Sequence, residues 1–247
     1  MSPVRTPGAA SLNAAARGAS APARPSATDP AARVRACCAE LDLDVSDLQV
    51  RQLLDYLAQL QRWNRTYNLT ALRDPEQMLV HHVFDSLAVV APLDRAMPAN
   101  GKLYDIGAGA GLPGVILAIM RPAWRISCVD AVEKKTAFVR QMSGVLGLSN
   151  LQAVHARVEQ LEPAACDVVT SRAFASLRDF ADLAGRHVAD DGTLVALKGK
   201  KPDDEIGELQ LQGAWRIEDI QPIAVPELDA QRCLIWMRRA SGSLGTP

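Results

Sequence analysis

The chain has 247 residues, 48% of them hydrophobic and 22% charged, and a formal net charge of -1. That length holds one large domain or one domain with a small addition, and the composition belongs to a protein with a buried core rather than a disordered or fibrous one. A near-neutral total excludes a protein whose whole surface grips nucleic acid, which needs many Lys and Arg on one face, but leaves room for a local basic patch.

Residues 1–30 are rich in Ala, Pro, Ser, Gly and Arg and carry no acid before Asp29, a composition that cannot supply a core, so a disordered extension is expected there. Arg5, Arg17 and Arg24 among serines resemble a transit peptide, but no amphipathic face accompanies them. Residues 31–92 have a helical period. Ser46 with Gln49 fits a capping box, and Val50, Leu53, Leu54, Leu57 and Leu60 follow on one face. Asp74 and Pro75 form an N-cap and first-turn proline, and Met78, Leu79, Val83, Leu87 and Val90 make a second apolar stripe.

Residues 93–240 alternate short apolar strands with helical stretches, the pattern of βαβ units in a parallel sheet. Strands are expected at 102–106, 125–129, 151–155, 167–171 and 193–198. Two further runs, 216–225 and 232–238, are joined by the short link 226–231 and read as an antiparallel closing hairpin. Residues 241–247 are expected to be a disordered tail. The fold class is therefore α/β, Rossmann-like, with a mostly parallel seven-stranded sheet, an antiparallel last strand and N-terminal helices packed on the core.

The five cysteines, Cys37, Cys38, Cys128, Cys166 and Cys233, contain no CxxC pair and no zinc spacing, so reduced thiols and no metal are expected. No apolar run approaches the roughly 18 residues of a membrane span. The expected location is the cytoplasm.

The most informative segment runs from Leu103 through Asp105, Gly107, Gly109, Gly111 and Leu112 to Gly114: a strand, a glycine-rich turn and a helix start, with Pro113 suited to the first helical position. Glycines there let the backbone take positive φ and approach a nucleotide. Spacing alone leaves two ligands open, because the turn also satisfies the dinucleotide fingerprint, with Asp130 at its acidic offset. Charge separates them. Asp105, at the strand end, is expected to face the cleft, where it would repel a pyrophosphate and favour the sulfonium and ammonium of S-adenosylmethionine. Asp130 would accept from both ribose hydroxyls, and the loop from His155 to Glu159 would lie against an adenine.

Four segments in one order resemble a single family. They are Arg62 to Thr70 with Arg73-Asp74-Pro75; His82-Val83-Phe84-Asp85-Ser86-Leu87; the glycine turn; and Thr170 to Leu177 with Ala196-Leu197-Lys198-Gly199. The chain is similar across them to the small-subunit rRNA guanine-N7 methyltransferases known as RsmG or GidB. That resemblance implies methyl transfer from S-adenosylmethionine, leaving S-adenosylhomocysteine, to N7 of one guanine in the decoding-region loop of 16S rRNA. Carried over by position, the donor contacts would be Gly107, Leu112, Val158, Glu159 and Arg172.

The pocket rim would draw on Asn64, Asn68, His82, Asp85, Arg172 and Lys198, each of which also has a structural reading. Lys198, Lys200 and Lys201, continued by Arg62, Arg65 and Arg73, would meet phosphates. The partner would be 16S rRNA in an assembled or partly assembled small subunit, met by a monomer. Competing readings are an NAD-linked oxidoreductase on the same turn, a non-catalytic RNA-binding assembly factor and a small-molecule methyltransferase.

Overall fold

A computed structural model describes residues 29–240; the expected extension up to residue 28 and the tail at 241–247 lie outside the described residues. The N-terminal helices are α1 (Pro30–Glu40), α2 (Asp47–Tyr67), α3 (Pro75–Met78), a π-wound stretch (Leu79–Phe84), α4 (Asp85–Leu87) and α5 (Val90–Asp94). The Ser46 hydroxyl accepts from the Gln49 amide while the Gln49 side chain accepts from the Ser46 amide, so the capping box closes in both directions. Asp74 caps α3 through the Gln77 amide.

The core alternates β1 (Lys102–Ile106), α6 (Gly114–Met120), β2 (Arg125–Asp130), α7 (Glu133–Val145), β3 (Leu151–His155), β4 (Cys166–Ser171), α8 (Leu177–Ala184), β5 (Val188–Lys198), α9 (Asp203–Gln212), β6 (Trp215–Ile223) and β7 (Arg232–Arg239). The sheet order is β3-β2-β1-β4-β5-β7-β6. All neighbours from β3 to β5 are parallel, while β7 runs antiparallel to both β5 and β6. The expected Rossmann-like architecture is present, with β7 inserted between β5 and β6.

Strand alternation sends alternate residues to two cores. Leu103, Ile126, Cys128, Val168 and Val195 pack beneath α1, α2, α6 and α7, whereas Ile106, Val129, Val169 and Leu194 pack beneath α8 and α9. Strand β5 begins five residues before its expected start, because Asp190, Asp191 and Gly192 continue the strand despite their turn chemistry, and the β4–β5 register shifts there. Pro113 precedes α6 as its N-cap instead of occupying the first helical position, and the Leu112–Pro113 peptide is cis.

The chain passes from β1 to β2 on one side of the sheet and on to β4 on the other. The carboxyl edge between β1 and β4 is thus the topological switch point where α/β sheets bind ligands.

Candidate functional site

The glycine turn leaves β1 with Gly107, Gly109 and Gly111 all at positive φ, between +61° and +83°. Its position is fixed from several sides. The Tyr56 hydroxyl on α2 donates to the Ala110 carbonyl at 2.9 Å, and the Ser171 hydroxyl at the end of β4 donates to the Ile106 carbonyl at 2.6 Å. A Cβ at Gly107 would lie 2.6 Å from the Ala173 Cβ, so the turn and the β4 loop approach as closely as glycine permits.

Six amides of the turn are already occupied. Gly107 and Ala108 donate to the Val129 carbonyl, and Gly111 and Leu112 to the Ala108 carbonyl. Gly109 donates to Asp130 Oδ2 at 2.9 Å and Gly114 to Asp105 Oδ2 at 2.8 Å. Two carboxylates thereby sit where an anion would take its bonds at a phosphate-binding turn.

Asp105 does not face the cleft as expected. Its position on β1 turns the side chain toward α6, where it is fully buried beneath Gly114 and beside Cys128. Burial pushes its carboxyl up to about 7, offset in part by the Gly114 amide and by the Arg172 charge. Its Oδ1 is buried without a hydrogen-bond partner. The acidic character of the cleft comes instead from Asp130 and Glu159.

That cleft has a volume of about 270 Å³ and is walled by Gly107, Asp130, Val158, Glu159, Ala173 and Phe174. Asp130 accepts from Gly109 through Oδ2 and from Val132 through Oδ1, with Lys135 at 3.6 Å, so Lys135 has a partner that its sequence position alone did not reveal. Each Asp130 oxygen keeps a lone pair for a further donor. Leu112 is buried under the turn and does not wall the cleft. The donor set fits the nucleoside of S-adenosylmethionine: carboxylate acceptors for hydroxyls, an apolar wall and no free amide cradle for a pyrophosphate.

A second cavity of about 280 Å³ is lined by Asp85, Arg172, Lys198 and Arg232, and Arg172 in its wall is the chain neighbour of Ala173 in the wall of the first. Asp85, buried on α4, accepts from Arg232 Nε at 2.8 Å through Oδ1 and faces Arg172 Nη1 at 3.5 Å through Oδ2. One carboxylate therefore aims two guanidinium groups, one from β4's exit and one from β7. Sequence reasoning missed Arg232; the only signal was an arginine opening a strand whose next five residues are apolar.

His82 lies in the π-wound stretch, buried, with Nε2 3.0 Å from the Thr70 hydroxyl and Nδ1 unpartnered. Burial, then the charge of Arg172, lowers its pKa to about 4, so the ring is neutral at physiological pH. Lys198 donates to Glu205 Oε2 at 2.7 Å and to the Phe174 carbonyl, and Glu205 also accepts from the Leu177 amide. Its charge is thus spent on pinning α8 and α9 rather than facing phosphate. Lys201 pairs with Asp203.

Neither asparagine reaches either cavity. Asn64 is buried, donating to the Leu72 carbonyl and accepting from the Thr70 amide, so its amide shapes the 68–72 turn. Asn68 ends α2 in the left-handed region, and its side chain accepts from Arg73. Among the described residues no cluster of three or more His, Cys, Asp or Glu could hold a metal ion, no helix is long and apolar enough to cross a membrane, and the five cysteines are free and buried.

Comparison with known proteins identifies the family of the chain. The chain is 67% identical over 221 residues to ribosomal RNA small subunit methyltransferase G of Bordetella petrii, covering 89% of this chain and 87% of the relative. It is 66% identical over 220 residues to the protein of the same name from Bordetella pertussis, covering 87% and 96%. Among solved structures it resembles a SAM dependent methyltransferase from Aquifex aeolicus (TM-score 0.53, 16% identity, 69% and 96% covered). It also resembles a ribosomal protein L11 methylase from Lactobacillus delbrueckii subsp. bulgaricus (TM-score 0.52, 13% identity, 63% and 78% covered). At those identities the structural likeness speaks to fold alone. The family model for GidB, rRNA small subunit methyltransferase G, matches residues 49–235, and the chain belongs to that family.

Proposed function

We propose that this protein is an S-adenosylmethionine-dependent methyltransferase that modifies N7 of one guanine in the decoding-region loop of 16S rRNA, acting as a cytoplasmic monomer on the small subunit or its assembly intermediate. The carrying observation is the self-satisfied glycine turn: Asp105 and Asp130 hold the Gly114 and Gly109 amides that a dinucleotide pyrophosphate would need. A pyrophosphate there would meet the Asp130 carboxylate at short range and find those amides already taken. A donor without phosphates meets hydrogen-bond acceptors. The names of the relatives support small-subunit ribosomal RNA as the substrate, while guanine N7 rests on the resemblance of the motifs around His82, Asp85 and Arg172.

Bound S-adenosylmethionine would supply a methyl group on a sulfonium, the N7 lone pair forming the new C–N bond as the C–S bond breaks toward sulfur and the positive charge passes to the base. Guanine N7 carries no proton, so no base is required, and a neutral buried His82 is consistent with that. The protein's task is to align the reacting atoms, an effect worth roughly 7 to 11 kcal/mol of barrier in well-oriented systems. In this scheme Gly107, Asp130, Val158 and Glu159 seat the donor, and Arg172, held by Asp85, stands at its junction with the target base.

Calorimetric titration with S-adenosylmethionine and NAD, followed by incubation with tritiated donor and unmodified small subunits, tests the reading. Donor binding without NAD binding, and label recovered in 16S rRNA, is the expected result. NAD binding, or label only on protein or small molecules, would overturn it.

A further inference from the structure

Beyond the Asp85–Arg172–Arg232 cavity lies a larger one of about 580 Å³ that shares Gly199, Ile223, Arg232 and Cys233 with it. The two form one trough leading away from the donor cleft across the ends of β5, β7 and β6. Its lining has an apolar part, Ile220, Pro222 and Ile223, which would form a floor, and a basic part, Lys200, Lys201 and Arg232, which would form a rim. The volume of the outer part alone lies within the range of small-ligand pockets.

Arg232 is the hinge of this arrangement. Its Nε donates to Asp85 and its Nη1 to the Gln231 carbonyl at 2.8 Å, which fixes the plane of the guanidinium, and Nη2 has no partner among the described residues. The side chain is 23% exposed, so a bond from it to an anion would form in a partly dry setting, where charge-assisted bonds are strong. Lys200 is exposed and has no ion-pair partner among the described residues, in contrast to Lys198 and Lys201.

We infer that the trough seats an unpaired ribonucleotide flanking the methylated guanine, with its base on the Ile220–Pro222–Ile223 floor and its phosphate between Arg232 and Lys200. An apolar floor beside a cationic rim matches the two halves of a nucleotide, and sequence-tolerant base contacts with backbone tracking are how proteins hold single strands. A duplex, whose base faces are stacked on one another, offers nothing to that floor. This assignment rests on the rRNA reading above, and it moves the RNA contact from Lys198, whose charge is neutralised by Glu205, to Arg232.

The test uses the full-length protein, its Arg232→Ala variant and a Lys200→Glu variant, the latter an exposed position that leaves the fold intact. Donor affinity, kcat, and KM for unmodified small subunits are measured between 50 and 200 mM salt. The expected result is donor affinity within threefold of wild type, a KM at least tenfold higher for Arg232→Ala and several-fold higher for Lys200→Glu. The slope of log KM against log salt should fall by about one for Arg232→Ala, as for loss of one phosphate contact. Wild-type KM and salt slope in both variants would refute the seat alone. A wild-type protein that binds donor yet methylates no rRNA would refute the rRNA reading and the seat with it.

Discussion

Two buried groups titrate in opposite senses, and their near-cancellation can be exposed by mutation. Asp105 is raised by burial to about 7 from an ordinary value near 4, so the folded state holds its proton where the unfolded chain has lost it. Its stabilising contribution is complete below about pH 4 and is lost as pH rises through 7. His82 is lowered by burial and by Arg172 to about 4, so its contribution is present above about pH 6.5 and is lost as pH falls toward 4. Between pH 5 and 7 linkage gives each a change of about 2 kcal/mol, opposite in sign, and the sum is nearly flat. Asp105→Asn keeps an acceptor for the Gly114 amide but cannot titrate, so relative to wild type it should gain about 2 kcal/mol from pH 5 to 7. His82→Gln should lose about the same over that interval. Urea unfolding followed by circular dichroism at pH 5, 6 and 7 reads both slopes. An Asp105→Asn variant that parallels wild type at all three values would refute the burial of that carboxylate.

Further substitutions separate the donor cleft from the scaffold. Gly107→Ala places a Cβ 2.6 Å from Ala173 at a positive φ, and calorimetry should show donor affinity falling at least tenfold in a folded protein. Asp130→Ala removes the acceptor of both the Gly109 and Val132 amides and should weaken S-adenosylhomocysteine at least as much, read by the same titration. Asp85→Asn leaves Arg172 and Arg232 facing each other without a counter-charge; since both are partly exposed, a loss of about 1 to 3 kcal/mol in urea unfolding is expected, with kcat falling alongside. Asn64→Ala should cost about 1 to 3 kcal/mol by stranding the Thr70 amide and Leu72 carbonyl, while donor affinity stays at the wild-type value.

Features that depend on local pattern were legible in the sequence. The Ser46 box, the stripe from Val50 to Leu60, the strand ends at Ile106 and Ser171 and the glycine turn all follow from periodicity, capping and φ requirements. Features that depend on which charges meet across the fold were not. Arg172 and Asp85 read separately as rim residues, and Asp85 lies on a helix with Arg232 on a strand 147 residues further on, so only the chain's folding brings the three to one cavity. Lys198 read as free because Glu205 is seven positions away, a spacing that becomes a contact only when α9 folds back over the end of β5. Asp105 was assigned to the cleft from its place at the end of a strand, yet side-chain alternation along β1 sends it beneath α6. Correcting that point moves the charge that excludes a pyrophosphate to Asp130 and the occupied amides.

The central claim is chemical: one methyl group, on one ring nitrogen, of one guanine. It is tested most directly by incubating the full-length protein with S-adenosylmethionine and small subunits from cells lacking the modification, then mapping the 16S rRNA by borohydride reduction and aniline cleavage, which break the chain at N7-methylguanine. A single new cleavage in the decoding-region loop, absent without enzyme or donor, is the predicted result. Methyl incorporation into 16S rRNA with no cleavage, or cleavage at a different site, would contradict it.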